Sequence, residues 1–440
     1  MGFAKQLANQ ISNICRENHS KEMREQINRV VLDYYAALIP GLNTDVVQQV
    51  QQYYKTSGVL GGCELVGSDL TLPPSEAAFV YGTAAHALDL DDGHTKGSVH
   101  PGAPVLSALL AVASQEDVSV ERFQSAIIAG YQTCILVAET IHPSSRKKGY
   151  HNTSVAGLFG ACAAVGVLQS YNAEELEHAL TIAISFAGGT FAFLGSGTEV
   201  KRIHAGQAAR DGIVAAGLAR AGLTGPKTGF ENENGFFHVF GNGNQRTMAE
   251  TDGWKIHEVY FKPYPCCRHL HSAIDAVFEL KKREAFSIDQ IRSMEIGVYE
   301  IASYHDHTTC TTLLDAQMSL PFVVAAACES STITVEALTP ANQSADVKQL
   351  MKNISVFVDQ EAQATYPEER GAIVKIQLNN GKRLERRVRQ PLGEPSNPLS
   401  TTELEEKLRI QCEPSLGLER VHQLIAQISK GNYQLEGVMK

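Results

Sequence analysis

The sequence runs to 440 residues, beyond the roughly 250–300 at which a single core stops growing, so two domains are expected. With 43% hydrophobic and 20% charged residues it has apolar material for large cores and too little charge for a disordered chain. A formal net charge of -10, with no Lys/Arg-rich run, argues against a nucleic-acid partner and requires that any anionic substrate meet a local cationic pocket.

The first residues, MGFAKQLANQISNIC, read as an amphipathic helix without the apolar core of a signal peptide, and Gln6 breaks the myristoylation pattern. Up to about residue 225 the chain is expected to be all-α. Pro73-Pro74-Ser75-Glu76 opens a helix expected to run towards Asp92. Pro101 can occupy the first turn of an apolar helix over Ala103–Ala113. Ser154–Gln169 is rich in Gly and Ala, which lets helix backbones approach closely, and Ser154 is the expected N-cap there. Asn172 with Glu175 forms a capping box for a helix reaching about Ala187, and a further helix runs from His204 to Ala221 before Gly222.

Near residue 260 the pattern changes. Ile296 and Val298 begin a strand, Ile354–Val358 forms another, and Ala372–Leu378 and Arg383–Arg389 flank Asn379-Asn380-Gly381-Lys382 as a hairpin. Helices return with Thr402–Ile410 and Leu418–Ile428. The expected fold class is therefore mainly α, with a large all-helical domain over 1–260 and 395–440 and a smaller α+β lid domain over 261–394. The apolar stretches Ala103–Ala113 and Leu320–Cys328 are shorter than the about 18 residues that a bilayer span needs, so no membrane partner is expected. The nine cysteines, at 15, 63, 134, 162, 266, 267, 310, 328 and 412, have no CxxC spacing and point to a reducing cytoplasm.

Four constellations carry chemistry. His86, Asp89, Asp91, Asp92, His94 and His100 crowd into fifteen residues; on a helix His86 and Asp89, and Asp89 and Asp92, would be neighbours. Buried carboxylates persist only when paired, and a histidine is a natural partner. His100 and His151 each precede a helix, where free N–H groups attract anions. Lys201, beside Arg202 and His204, can anchor a carboxylate or act as an acid or base if desolvated. Cys267 and His271 stand at thiol–imidazole spacing within FKPYPCCRHLH, and His269-Leu270-His271 and His305-Asp306-His307 have the look of metal ligands without the HExxH or repeated Cys/His spacing of a metal site. Taken singly, each of these residues also has a structural reading as a cap, a solvated ion or a satisfied core side chain.

In this order the stretches HALDLDDGHTKGSVHPG (86–102), YHNTSVAG (150–157), VKRIHAGQAARDG (200–212), FENENGFF (230–237) and FKPYPCCRHLHSAIDA (261–276) resemble the MmgE/PrpD family, over nearly the whole chain. That family includes 2-methylcitrate dehydratase, cis-aconitate decarboxylase and iminodisuccinate epimerase. The resemblance implies a cofactor-free, metal-free homodimer with its site between a helical domain and a lid, acting on a small polycarboxylate. The catalytic residues of the decarboxylases fall on Asp89, His100, His151, Lys201 and, in the lid, Tyr304; Lys262, Gly93, Cys267 and His271 are the expected substrate contacts. Gly93 stands where decarboxylases and dehydratases commonly have threonine, and Cys267 where animal decarboxylases have histidine. The implied activity is that of a decarboxylase-like lyase, with a dehydratase or an epimerase as alternatives. From other classes, a magnesium-dependent all-α enzyme lacks its DDxxD spacing here, and a non-catalytic binding protein would keep the fold alone.

Overall fold

The structure, a computed structural model, describes residues 2–14, 19–194, 198–243 and 253–434. It divides into two compact units, one of residues 1–87, 91–260 and 400–440, the other of 88–90 and 261–399. The first begins with α1 (Phe3–Ile14), α2 (Lys21–Gly41), α3 (Asp45–Ser57), a two-stranded antiparallel pair β1 (Cys63–Glu64) and β2 (Thr71–Leu72), and α4 (Pro74–His86). It continues with α5 (Gly102–Ala113), α6 (Val120–Ile141), α7 (Ser144–Lys147), α8 (Asn152–Leu168), α9 (Ala173–Ala183), α10 (Val200–Arg220) and α11 (Phe236–Val239). The second unit holds α12 (His271–Arg283), β3 (Ile291–Val298), α13 (Glu300–Ser303), α14 (Leu313–Gln317), α15 (Leu320–Glu329), α16 (Ala345–Met351), β4 (Ile354–Val358), α17 (Gln360–Thr365), β5 (Ala372–Leu378) and β6 (Arg383–Val388). Then α18 (Thr401–Leu416) and α19 (Leu418–Ser429) complete the first unit. The chain is mainly helical with one small mixed sheet in the second unit, as its sequence pattern leads one to expect, but the first unit, expected to be all-helical, also carries the short β1–β2 pair.

In the first unit α8 is buried along its whole length, and α5, α6 and α10 pack around it. A helix apolar on every side belongs in a core, and the small residues of α8 make the packing close: a Cβ added at Gly160 would lie 2.8 Å from the Gly130 carbonyl of α6. Where α10 crosses α4, a Cβ at Gly82 would lie 2.7 Å from the Gly206 Cα. The C-terminal helices are tied in by a buried ion pair, Lys407 Nζ of α18 to Asp33 Oδ1 of α2 at 2.6 Å. No described helix is long and apolar enough to cross a membrane.

In the second unit the sheet order is β4-β3-β5-β6, with β3 parallel to β4 and antiparallel to β5, and β5 antiparallel to β6. Ile296 lies opposite Val356 on one side and Val374 on the other. One face of this sheet, through Met294, Ile296, Val374 and Ile376, belongs to a core shared with Val277 and Leu280 of α12 and Val323 of α15. The Asn-Gly turn joins β5 to β6 with Gly381 at φ 89°, a left-handed conformation that glycine adopts without strain.

Several local expectations are corrected. The helix opened by Pro74 stops at His86 rather than running to Asp92, and Asp89 takes a left-handed φ of 53° that no right-handed helix admits. Helical spacing therefore does not relate His86, Asp89 and Asp92. Ser154 lies inside α8, whose N-cap is His151, and α10 starts at Val200, one turn before His204. The capping box of Asn172 and Glu175 is present, but the α-helix ends at Ala183 and tightens into a 3-10 turn over Ile184–Phe186. Ile296 and Val298 finish β3 rather than begin it.

Candidate active site

Helix termini bring four imidazoles together in the first unit. His86 is the last residue of α4, His100 stands just before Pro101, the N-cap of α5, His151 caps α8 and His204 lies one turn into α10. The ring centroids of His86 and His100 are 5.0 Å apart, those of His86 and His151 5.9 Å, and those of His151 and His204 5.1 Å. Phe191 and Phe193 set their edges against His151, at 4.9 and 6.1 Å. His86, His151 and His204 are all buried, so each ring nitrogen needs an account.

Two carboxylates organise this cluster. Asp91 Oδ2 lies 2.8 Å from His86 Nδ1 and 3.4 Å from His100 Nδ1. His100 Nδ1 donates to the Asp92 carbonyl at 2.6 Å, which places a proton on that nitrogen. The Asp92 carboxyl accepts from the Tyr131 hydroxyl at 2.7 Å and from the Gly102 amide at 2.9 Å, fastening the first turn of α5. The Thr153 hydroxyl oxygen accepts from the His100 amide at 3.2 Å, so the histidine backbone is held from α8 as well. His86 Nε2 and the Ser154 hydroxyl, both buried, have no hydrogen-bond partner among the described residues.

Between His151 Nδ1 and His204 Nδ1 the separation is 2.9 Å, so one nitrogen donates and the other accepts. Burial, followed by the charges of His86, His204, Lys201 and His100, holds His151 well below its ordinary value. Burial, His86 and Lys201 pull His204 down to about 4. At neutral pH both are neutral and share one hydrogen bond. Lys201, partly exposed, is thus within electrostatic reach of both. Burial and the charge of Asp33 push the Asp92 carboxyl up to about 8.

Among the described residues, two groups have donor atoms close enough to consider a metal ion. In the first, His86, Asp91 and His100, the His100 Nδ1 proton is committed to the Asp92 carbonyl and the His86 Nδ1 to Asp91, so an ion bound through those two nitrogens would have to displace both hydrogen bonds. In the second, His94, Glu139 and Glu258, Lys255 already supplies the cation, its ammonium 3.3 Å from Glu139 Oε1 and 2.8 Å from Glu258 Oε1. There His94 Nδ1 accepts from the Gly97 amide at 3.0 Å, leaving Nε2–H to face Glu258, and hydrogen bonds from His94 and Lys255 hold the Glu258 carboxyl down to about 2. This second group is a satisfied ion network.

Gly93 is closed to a side chain. It exchanges both backbone hydrogen bonds with Tyr260, at 3.0 and 2.8 Å, and a Cβ added there would lie 2.3 Å from Tyr260 Cζ and Oη. The tyrosine ring fills the space that a threonine at 93 would use.

The remaining site candidates lie in the second unit. Lys262, 1% exposed, donates to the Asp89 carbonyl at 2.9 Å and faces Asp89 Oδ1 at 3.2 Å, so Asp89 serves as its counter-ion. His271 is buried with both nitrogens engaged, Nδ1 accepting from Arg268 at 3.1 Å and Nε2 donating to the Cys266 carbonyl at 3.2 Å; burial and the Arg268 charge keep it neutral. The thiol of Cys267 faces His305 rather than His271, because the chain turns through Arg268–Leu270 and spends His271 on the core. His305 and His307 bond separate carbonyls, those of Met318 and Asp315, and do not converge as a metal site among the described residues. Tyr304 is 67% exposed, with its hydroxyl 3.0 Å from Glu300 Oε1.

Of the sequence candidates, the structure thus gathers His100 and His151, with Lys201 in electrostatic reach, and separately pairs Asp89 with Lys262. It adds His204, Asp91 and the Phe191–Phe193 wall, which the sequence reading did not assign. His204 could have been found from its place three residues after Lys201 on one helix.

Relatives include cis-aconitate decarboxylases of Mus musculus and Homo sapiens, each 26% identical over 91% of this chain and covering 85% and 86% of those proteins. A cis-aconitate decarboxylase-like protein of Aspergillus oryzae is 25% identical over 95% of the chain and 92% of its own length. The MmgE/PrpD N-terminal domain matches residues 5–249 and the MmgE/PrpD C-terminal domain residues 264–430. With both domain patterns present in order across most of its length, the chain belongs to the MmgE/PrpD family.

Proposed function

We propose that this protein is a cofactor-independent lyase that decarboxylates cis-aconitate or a closely similar small polycarboxylate. The observation that carries the reading is the buried imidazole cluster, in which His151 and His204 are neutral and share a single hydrogen bond with Lys201 in electrostatic reach. In this reading Lys201 and the amino-terminal ends of α5 and α8 hold substrate carboxylates. Their negative charge favours the protonated form of the neighbouring imidazoles, so substrate binding draws a proton into the cluster. The carbon–carbon bond to one carboxylate then breaks and carbon dioxide leaves. The electron pair stays on the carbon framework, and His151 or His100 delivers the proton to carbon. Lys201 and the helix N–H groups stabilise the charge while it is on carbon.

Relatives named cis-aconitate decarboxylase across most of both chains support this choice over dehydration or epimerisation. Proton NMR of the purified, chelator-treated protein in heavy water, with cis-aconitate, 2-methylcitrate and iminodisuccinate in turn, tests it. The proposal expects itaconate carrying one solvent deuteron from cis-aconitate. Water loss from 2-methylcitrate alone would replace it with the dehydratase, exchange at carbon without net product would replace it with the epimerase, and activity restored only by magnesium would replace it with a metal mechanism.

A further inference from the structure

The second unit carries adjacent cysteines in opposite states. Cys266 is fully buried, and burial pushes its thiol well above the ordinary range. Cys267 is partly exposed, and its Sγ lies 4.0 Å from His305 Nε2. His305 is mounted to face it: its Nδ1 donates to the Met318 carbonyl at 2.9 Å, leaving Nε2 to take the thiol proton. The His305 ring also stacks on His269 at 6.0 Å and 24°, and His269 is fixed in turn by the Tyr299 hydroxyl at 2.5 Å. We infer that Cys267 and His305 form an activated thiol–imidazole pair that makes Cys267 a site of covalent modification by soft carbon electrophiles.

The groups acting on the thiol are His305, Asp89, the neighbouring Cys266 and Tyr299, and the His269 backbone. Burial alone would push Cys267 up, but the His305 charge and hydrogen bond outweigh both burial and Asp89, so the thiol is held below its ordinary value. Burial would pull His305 down, but the Cys267 charge, its hydrogen bond and the Met318 carbonyl raise it. With iodoacetamide as probe, Sγ bonds to the methylene carbon as the carbon–iodine bond breaks; iodide leaves with the bonding pair and the thiol proton stays on His305 Nε2.

Cys310 is an internal control. Among the described cysteines it and Cys267 are the two that are not fully buried, and burial pushes its thiol up. The native full chain is treated with limiting iodoacetamide from pH 6 to 9, and alkylation of each cysteine is followed by peptide mass spectrometry. At pH 7 Cys267 is expected to react about tenfold or more faster than Cys310, with a half-rise below the free-thiol value of about 8.5. His305→Gln is expected to slow Cys267 about fivefold or more while Cys310 keeps its rate. A Cys267 rate no greater than that of Cys310, a half-rise at or above 8.5, or a folded His305→Gln protein with the wild-type profile would each overturn the inference. Should that variant not fold, the wild-type profile decides alone.

Discussion

Replacing Asp89 tests whether this residue is first of all the counter-ion of a buried lysine. Lys262 and Asp89 side chains are 1% and 7% exposed and meet at 3.2 Å. At an effective dielectric of about 20, opposite charges that close attract by about 4–5 kcal/mol, and removing one member of a buried pair typically costs about 3–5 kcal/mol because the other charge is stranded. Asp89→Asn keeps the shape and tolerates the left-handed backbone at φ 53°, so it isolates the charge. Asp89→Ala loses the charge and adds about 1–2 kcal/mol of backbone strain. At about 2–4 °C per kcal/mol, the asparagine variant should melt roughly 6–20 °C below wild type and the alanine variant lower still. Adding Lys262→Met to Asp89→Asn removes the stranded charge and should recover most of the loss. Melts followed by circular dichroism decide the matter: an Asp89→Asn protein melting within about 1 °C of wild type would show that the Asp89 charge does not hold Lys262 in place. If it holds, lost turnover in an Asp89 variant reports on catalysis only below that variant's own melting transition.

Three further outcomes follow from the same geometry. Because the Asp92 carboxyl is raised to about 8 in the folded chain, against about 3.9 unfolded, the native state binds the extra proton between those values; wild-type stability should fall as pH rises through that window, by up to about 6 kcal/mol. Asp92→Asn, with its amide oxygen towards Gly102 and its nitrogen towards Tyr131, should flatten that slope in denaturant titrations from pH 5 to 8.5, and an unchanged slope would count against it. Gly93→Ala should destabilise the fold by about 1–3 kcal/mol in denaturant titrations, since its Cβ would meet the Tyr260 ring at 2.3 Å, and Tyr260→Leu should relieve much of that; a neutral Gly93→Ala would show that the ring yields freely. Binding of tricarballylate, a saturated polycarboxylate that cannot decarboxylate in the same way, should take up protons at pH 7, because anions raise the depressed values of His151 and His204. Calorimetry in two buffers of different ionisation enthalpy measures this, and zero uptake on binding would contradict the proton-loading step.

Local signals were legible wherever the chain talks to its own neighbours. The Asn172–Glu175 capping box, the Asn-Gly hairpin at 379–382 and the small-residue face of α8 all act over a few residues or one helix face, and each stands in the structure. The candidate site was legible as a set of residues and illegible as a set of partners. His151 and His204 are 53 positions apart and Cys267 and His305 are 38, so no spacing rule could pair them. The first motif misled for a different reason: treating 86–92 as helix assigned His86 to Asp89, whereas the turn at Asp89 gives His86 to Asp91. His271 looked free to bind a ligand because its i,i+4 spacing to Cys267 says nothing of Arg268, which takes it into the core.

Proton delivery by the buried imidazoles, the step that completes decarboxylation, is tested by the turnover of cis-aconitate by His151→Gln beside wild type. Gln can keep a hydrogen bond to His204 Nδ1 but cannot carry and release the proton, so the variant is predicted to keep its melting temperature and tricarballylate affinity while kcat falls about 100-fold or more. A folded His151→Gln protein that forms itaconate within a few-fold of the wild-type rate would show that His151 does not deliver the proton.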